Sequence, residues 1–196
     1  MKLHVITDDR HSIEDLAKKI IQIKDIVDGI HIREKTKTAS DIMRLLHLLE
    51  EGNVSKRKLI INDRLDIALL GDIQNVHLPS HGLQVKAVKQ KFPQLKVGCS
   101  IHSYEEAVEA EHQGADYVLY GHIYETKCKE GKRPRGIYEL EKMKMNLCIP
   151  VYAIGGILPE NIWKIHLVKA DGVAVMSGIF STEDPIKIAS KYHSLC

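Results

Sequence analysis

The sequence predicts a (β/α)₈ TIM barrel, and three observations carry that prediction. Short apolar, β-branched runs alternate with amphipathic segments along the whole chain. Eight such units in 196 residues leave about 25 residues each, close to the minimum for a right-handed βαβ repeat. The last two runs, Val151-Tyr152-Ala153-Ile154-Gly155-Gly156 and Gly172-Val173-Ala174-Val175-Met176-Ser177-Gly178, both end in glycine and lead into segments with helical character. The loops after strands 7 and 8 of such barrels commonly form a phosphate cup from backbone N–H groups. A small phosphorylated substrate is therefore expected.

The strand candidates follow in order. They are Leu3–Thr7, Gly29–Arg33, Lys58–Asn62, Asn75–Leu78, Lys96–Ile101, Tyr117–His122, Val151–Gly155 and Gly172–Ser177. Between them, Ile13, Leu16, Ala17, Ile20 and Ile21 hold a 3.6-residue stripe, as do Ile42, Leu45, Leu46 and Leu49. Ala107, Val108 and Ala110 do so after Ser103, which forms a capping-box pattern with Glu106. Thr182-Glu183-Asp184-Pro185 reads as the start of the final helix. No linker or low-complexity tract divides residues 1–196, so a single domain is expected.

Composition narrows the function. Lys+Arg of 28 against Asp+Glu of 26 gives a net charge of +2, which is no polyanion signal. Aromatic residues are sparse, which disfavours base-stacking surfaces, so no nucleic-acid partner is expected. No apolar stretch reaches the roughly 18 residues of a membrane helix. The chain enters a strand directly with no apolar leader. Cys99, Cys128, Cys148 and Cys196 are scattered without metal or redox spacing. These features lead to the expectation of a reduced, cytoplasmic protein with no membrane partner.

Alternate strand residues share a face. His31 and Arg33 therefore point together towards the barrel axis, with Ile30 and Ile32 against the helices. By the same parity Ser100 pairs with His102, and Tyr120 with His122, while Asn62 closes strand 3. The C-terminal strand ends thus offer Arg33, Asn62, Ser100, His102 and His122 on the face where barrel active sites lie. His122, directly after Gly121, suits proton transfer near neutral pH. His102 is open between orienting a substrate and bonding within the top layer. His4, His11, His47, His112, His166 and His193 read as surface or helix residues. His77 and His81 at i and i+4 straddle a Pro79 turn without a third ligand, so metal is not expected there. The polar stretch 127–135 is open between a solvated loop and a basic lid over an anionic substrate.

These motifs resemble the thiamin phosphate synthase superfamily from end to end. The matching stretches are Val5-Ile6-Thr7-Asp8, Ile30-His31-Ile32-Arg33-Glu34-Lys35, Leu59-Ile60-Ile61-Asn62-Asp63-Arg64, Val76-His77-Leu78, Ser100-Ile101-His102-Ser103, Gly114-Ala115-Asp116-Tyr117-Val118, Ala153-Ile154-Gly155-Gly156-Ile157 and Val173-Ala174-Val175-Met176-Ser177-Gly178. The resemblance implies that a synthase holds magnesium diphosphate with two aspartates. One is Asp63. The other would follow strand 4, where this chain has His77-Leu78-Pro79-Ser80-His81-Gly82. The synthases also place proline where this chain has His122.

Both departures resemble the TenI-type thiazole tautomerase branch. That resemblance implies a cofactor-independent isomerase converting the alkylidene tautomer of a thiazole carboxylate phosphate to its aromatic form, with no metal. His122 is then the proton carrier and His102 a second catalytic-site residue. Arg33 grips the carboxylate, with Asn62, Ser100 and Thr126 as further substrate contacts. The phosphate falls to Gly155, Gly156, Met176, Ser177 and Gly178. The alternatives are an active thiamin phosphate synthase and a non-catalytic regulator that senses a thiazole phosphate. A homodimer is left open.

Overall fold

The structure, a computed structural model, describes residues 1–126 and 129–196. Eight parallel strands close into a barrel in sequence order. They are β1 (Lys2–Ile6), β2 (Gly29–Ile32), β3 (Leu59–Asn62), β4 (Asn75–Leu78), β5 (Lys96–Ile101), β6 (Tyr117–Gly121), β7 (Val151–Ile154) and β8 (Gly172–Val175). Closure comes from β1 pairing with β8, Lys2 opposite Gly172 and Val5 opposite Val175. The (β/α)₈ expectation holds. Several strands stop a residue or two short of the apolar pattern, because their last residues already turn into the loops.

The helices are α1 (Ile13–Ile23), α2 (Ala39–Glu51), α3 (Leu65–Leu70), α4 (Val85–Lys91), α5 (Tyr104–His112), α6 (Tyr138–Asn146), α7 (Ile162–Leu167), α8 (Ser177–Phe180) and α9 (Pro185–His193). Helix α1 buries Ile13, Leu16, Ala17, Ile20 and Ile23, so its stripe runs to Ile23 and leaves Ile21 at the margin. Helix α2 buries Ile42, Leu45, Leu46 and Leu49 as patterned, and Thr38 with Asp41 forms its full capping box. At α5 the expected box is half formed. Ser103 accepts from the Glu106 N–H, but the Glu106 carboxylate accepts from the His102 N–H instead. Asp184 caps α9 by accepting from the Lys187 N–H, with Pro185 at the first helical position.

The outer core, between strands and helices, is aliphatic and includes Ile30 and Ile32. The interior of the barrel is unlike the branched aliphatic layers usual there. It holds the rings of His4, His31, His77, Tyr117 and Tyr152 in mutual contact, with centroids 4.4 to 6.4 Å apart. Glycine makes room for them. In the strand register Gly29 stands opposite His4, Gly98 opposite Tyr117 and Gly172 opposite Tyr152. A Cβ on Gly98 would lie 2.0 Å from Tyr117 Cζ, and on Gly29 and Gly172 within 2.7 Å of the His4 and Tyr152 rings. His4, read from sequence as a surface residue, is therefore an interior one at 7% exposure. His31 faces the axis as parity required and is fully buried. Tyr120 departs from its expected pairing with His122. It packs outward, its hydroxyl donating to Glu139, because β6 ends at Gly121 and strand parity does not reach His122.

Candidate active site

The C-terminal ends of the strands surround one cavity of about 970 Å³, at the upper end of the usual range for ligand sites. Arg33, Asn62, Ser100, His102, His122, Thr126, Gly155, Gly156, Met176 and Gly178 all line it. Ser177 opens α8, and its side chain lies outside the described residues, as do Lys127 and Cys128 of the basic stretch. The sequence thus anticipated ten of the lining residues. It gave no site role to Lys35, Arg64 or Tyr192, which also line the cavity, as do His81 and, from the basic stretch, Lys129.

Each side of the cavity has its own chemistry. At the ends of β2 and β3 stand Arg33, Lys35, Asn62, Asp63 and Arg64. The Arg33 N–H is fixed by donation to Thr7 Oγ1 at 2.8 Å. Arg64 spends its fork on Asp66, at 2.9 and 2.6 Å, which leaves Arg33 and Lys35 as the chief cations of that rim. Asp63 adopts a left-handed φ of 67° and continues the ladder by donating its N–H to the His77 carbonyl at 2.9 Å.

Across the barrel, the loop after β7 is fastened through its carbonyls. Those of Ile154 and Gly155 accept from the N–H groups of Ile123 and Tyr124. The Gly156 carbonyl accepts from Asn161 Nδ2 at 2.9 Å, and that of Ile157 from the Tyr192 hydroxyl at 3.0 Å. Trans peptide geometry turns the N–H groups of Gly155, Gly156 and Ile157 away from the partners of those carbonyls, and all three residues line the cavity. Successive N–H groups so arranged form an anion-binding concavity. The need for glycine there has a second cause that the sequence did not show. Gly155 and Gly156 have φ of 98° and 65°, and a Cβ would meet His122 Cβ at 2.3 Å or the Glu125 carbonyl at 2.4 Å. Close packing of the β7 loop on the β6 loop demands both glycines, whatever the ligand.

Between the two sides, His122 is 7% exposed, and its Nε2–H donates to the Lys132 carbonyl at 3.2 Å. His102 serves the scaffold. Its Nδ1–H donates to the Gly121 carbonyl at 2.9 Å, and Arg135 donates to the His102 and Gly121 carbonyls. The segment after β6 is thereby tied down at Lys132 and Arg135.

The profile of the thiamine monophosphate synthase family matches residues 3–179. The chain belongs to that family. Curated relatives include the thiamine-phosphate synthase of Caldivirga maquilingensis, 32% identical over 97% of this chain and 94% of the relative. That of Clostridium acetobutylicum is 38% identical over 93% and 88%. Among solved structures, the thiamine phosphate pyrophosphorylase from Pyrococcus furiosus superposes with a TM-score of 0.84 at 30% identity, covering 99% of this chain and 94% of that one. A 3-hexulose-6-phosphate synthase, TM-score 0.77 at 18% identity, shares the fold.

These family relatives correct the isomerase expectation. They are named synthase or pyrophosphorylase, and thiamine-phosphate synthases are transferases. One histidine in place of a proline was too local a difference to outweigh similarity along the whole chain. The magnesium that the synthase resemblance implies meets a poor donor set. Asp63 stands at the β3 rim, with Glu34 after β2 and Glu125 after β6 as the other carboxylates lining the cavity. The facing Pro79-Ser80-His81-Gly82 turn brings no carboxylate, and the described residues hold no group of three or more metal-ligating side chains. The paired-aspartate magnesium site that the resemblance implies does not fit these residues. No helix among the described residues is long and apolar enough to cross a membrane.

Proposed function

We propose that this protein is a thiamine-phosphate synthase that couples a pyrimidinylmethyl diphosphate to a thiazole phosphate. The observation that carries this reading is one large cavity with anion-binding chemistry on opposite sides. Arg33 and Lys35 stand on one, and the glycine-bearing β7 loop of Gly155, Gly156 and Ile157 on the other. A single small phosphate would need only the second. The relatives named pyrophosphorylase and synthase supply the reaction class.

In the reaction the thiazole ring nitrogen attacks the methylene carbon of the pyrimidine. A C–N bond forms as the C–O bond to diphosphate breaks, and pyrophosphate leaves with the electron pair. No proton need move. The protein's task is to hold the two rings in line and to stabilise charge growing on the leaving group. Arg33 and Lys35, with Lys129 at the mouth, meet that charge. The β7 loop N–H groups, with Met176, Ser177 and Gly178 beside them, hold the thiazole phosphate. His122, packed against Gly155, donates to that phosphate when released from the Lys132 carbonyl. Asn62, Ser100 and Thr126 contact the rings, and His102 keeps the Gly121 carbonyl in place.

The protein supplied with both substrates is expected to yield thiamine phosphate and pyrophosphate in equal amounts. Failure to form either while both substrates bind would leave a binding protein. Arg33→Ala removes a charged hydrogen-bonding partner worth roughly 1.5–3 kcal/mol. KM for the diphosphate is expected to rise by about 10- to 100-fold, with KM for the thiazole phosphate nearly unchanged. An equal rise in both would misplace the diphosphate.

Because side-chain cations rather than paired carboxylates face the diphosphate, pyrophosphate binding is expected to survive chelation. Isothermal titration in EDTA and in magnesium should agree within about threefold. Binding seen only with magnesium would show that Asp63 and the substrate suffice to hold the metal.

A further inference from the structure

Four successive carbonyl groups of the β7 loop are each held by a donor from outside residues 154–157. Those of Ile154 and Gly155 accept from the N–H groups of Ile123 and Tyr124 at 2.9 and 3.0 Å. That of Gly156 accepts from Asn161 Nδ2 at 2.9 Å, and that of Ile157 from the Tyr192 hydroxyl at 3.0 Å. The first two bonds are backbone to backbone. The last two depend on two side chains to which the reaction above gives no role.

Asn161 stands at the N-cap of α7, where an asparagine ordinarily accepts from an N–H ahead of it in the first turn. It makes no such bond. Its amide turns back instead. Nδ2 donates to the Gly156 carbonyl while Oδ1 accepts from the Leu158 N–H, both at 2.9 Å. Tyr192 is 1% exposed and reaches the same loop from α9. Burial raises its pKa to about 12, so the hydroxyl keeps the hydrogen that it donates. The hydroxyl also lies beside the loop after β8, since a Cβ on Gly178 would stand 3.3 Å from it.

A peptide unit is a rigid plane, so holding one end sets the other. The Gly156 carbonyl and the Ile157 N–H share a plane, and Asn161 fixes it through the carbonyl. The next plane is fixed at both ends, the Ile157 carbonyl by Tyr192 and the Leu158 N–H by Asn161. Asn161 thereby occupies the Leu158 N–H itself, which takes that donor away from any ligand and ends the loop's free donors before it.

We propose that Asn161 and Tyr192 are positioning residues for the phosphate end of the substrate, acting through the peptide planes of the β7 loop. The inference rests on the reading above, in which that loop takes the thiazole phosphate. Planes fixed before the anion arrives need no reordering when it binds.

Inorganic phosphate is the first probe. In ¹H–¹⁵N spectra of the wild type it is expected to shift the Gly156 and Ile157 amide signals in a saturable titration. Tyr192→Phe keeps the ring and loses one hydroxyl, and is expected to weaken phosphate binding by roughly 3- to 10-fold, the range for one neutral hydrogen bond. Asn161→Asp keeps the acceptor for Leu158, loses the donor to Gly156 and adds a negative charge, so it is expected to weaken binding at least as much. Asn161 is half-buried, so this variant decides the matter even where Tyr192→Phe folds poorly. Unshifted wild-type signals, or wild-type affinity in Asn161→Asp, overturns the proposal. Steady-state kinetics give the second readout. Tyr192→Phe is expected to raise KM for the thiazole phosphate by a similar factor, with kcat and KM for the diphosphate within about twofold of wild type. An equal rise in both KM values, or a fall in kcat alone, marks a general loosening of the barrel and overturns the positioning role. If phosphate binding weakens as expected in the variants while the wild type forms no thiamine phosphate, the synthase reading fails and the positioning role stands.

Discussion

Stability is expected to collapse as pH falls from about 6.5 towards 4, ahead of ordinary carboxylate titration. Burial lowers the pKa of His4 to about 4 and of His77 to about 3, and holds His31 well below its usual value. His31 is fully buried with Nδ1 unpartnered among the described residues. The sign follows from proton uptake. The unfolded chain protonates these imidazoles near pH 6.5, and the folded chain does not until far lower, so the unfolded state binds more protons between those limits. Folding free energy contributed by the neutral cluster is complete above the unfolded pKa and is lost on acidification. At about pH 5 each histidine costs about 2 kcal/mol, against a whole-domain stability of about 5–15 kcal/mol. Glu34, whose pKa burial raises, opposes the trend with a single group. Urea melts at stepped pH should show the loss, and His31→Met should reduce its slope by about one proton. A stability flat from neutrality to about pH 5 would mean that the three rings are not held neutral.

Gly98→Ala is expected to be among the most damaging single-methyl additions in the chain. The new Cβ would stand 2.0 Å from Tyr117 Cζ, with two other ring atoms within 2.4 Å. The ring has nowhere to yield, since His4, His31, His77 and Tyr152 surround it. Overpacking alone costs about 1–3 kcal/mol. Displacing Tyr117 also strips His77 Nδ1 of its partner, at about 1–3 kcal/mol for a buried unsatisfied group. Chemical denaturation should therefore report a loss of about 2–6 kcal/mol. Pairing it with Tyr117→Leu should recover part of the overpacking, with a coupling of about 1 kcal/mol or more. A Gly98→Ala protein within about 0.5 kcal/mol of wild type would mean that the Tyr117 ring is not lodged over that glycine.

Much of the site was legible because strand ends in a barrel converge by topology. Once eight apolar runs were counted, Arg33, Asn62, Ser100 and His122 had to meet on one face. Parity also aimed His31 inward. It failed where the strand stopped, at Tyr120 and His122. Tyr192 left no signal, because it reaches the cavity from a helix whose path depends on packing, and the basic stretch around Lys129 was legible only as a choice between loop and lid. The choice between isomerase and transferase turned on His122 and the missing aspartate. Those are single positions, and a single position constrains chemistry less than the descent of the whole chain.

The sequence by itself determined the barrel, the order of its strands, the buried stripes of α1 and α2, and the glycine-bearing loops after β7 and β8. These are local: periodicity, capping and the absence of a side chain are properties of neighbours in the chain. Only the tertiary structure decided that His4 is interior, that Gly29, Gly98 and Gly172 make room for three rings, and that Tyr117 reaches His77 across β5. Those facts depend on which residues of neighbouring strands stand opposite one another. Register is set by closure of the whole barrel, not by any one segment.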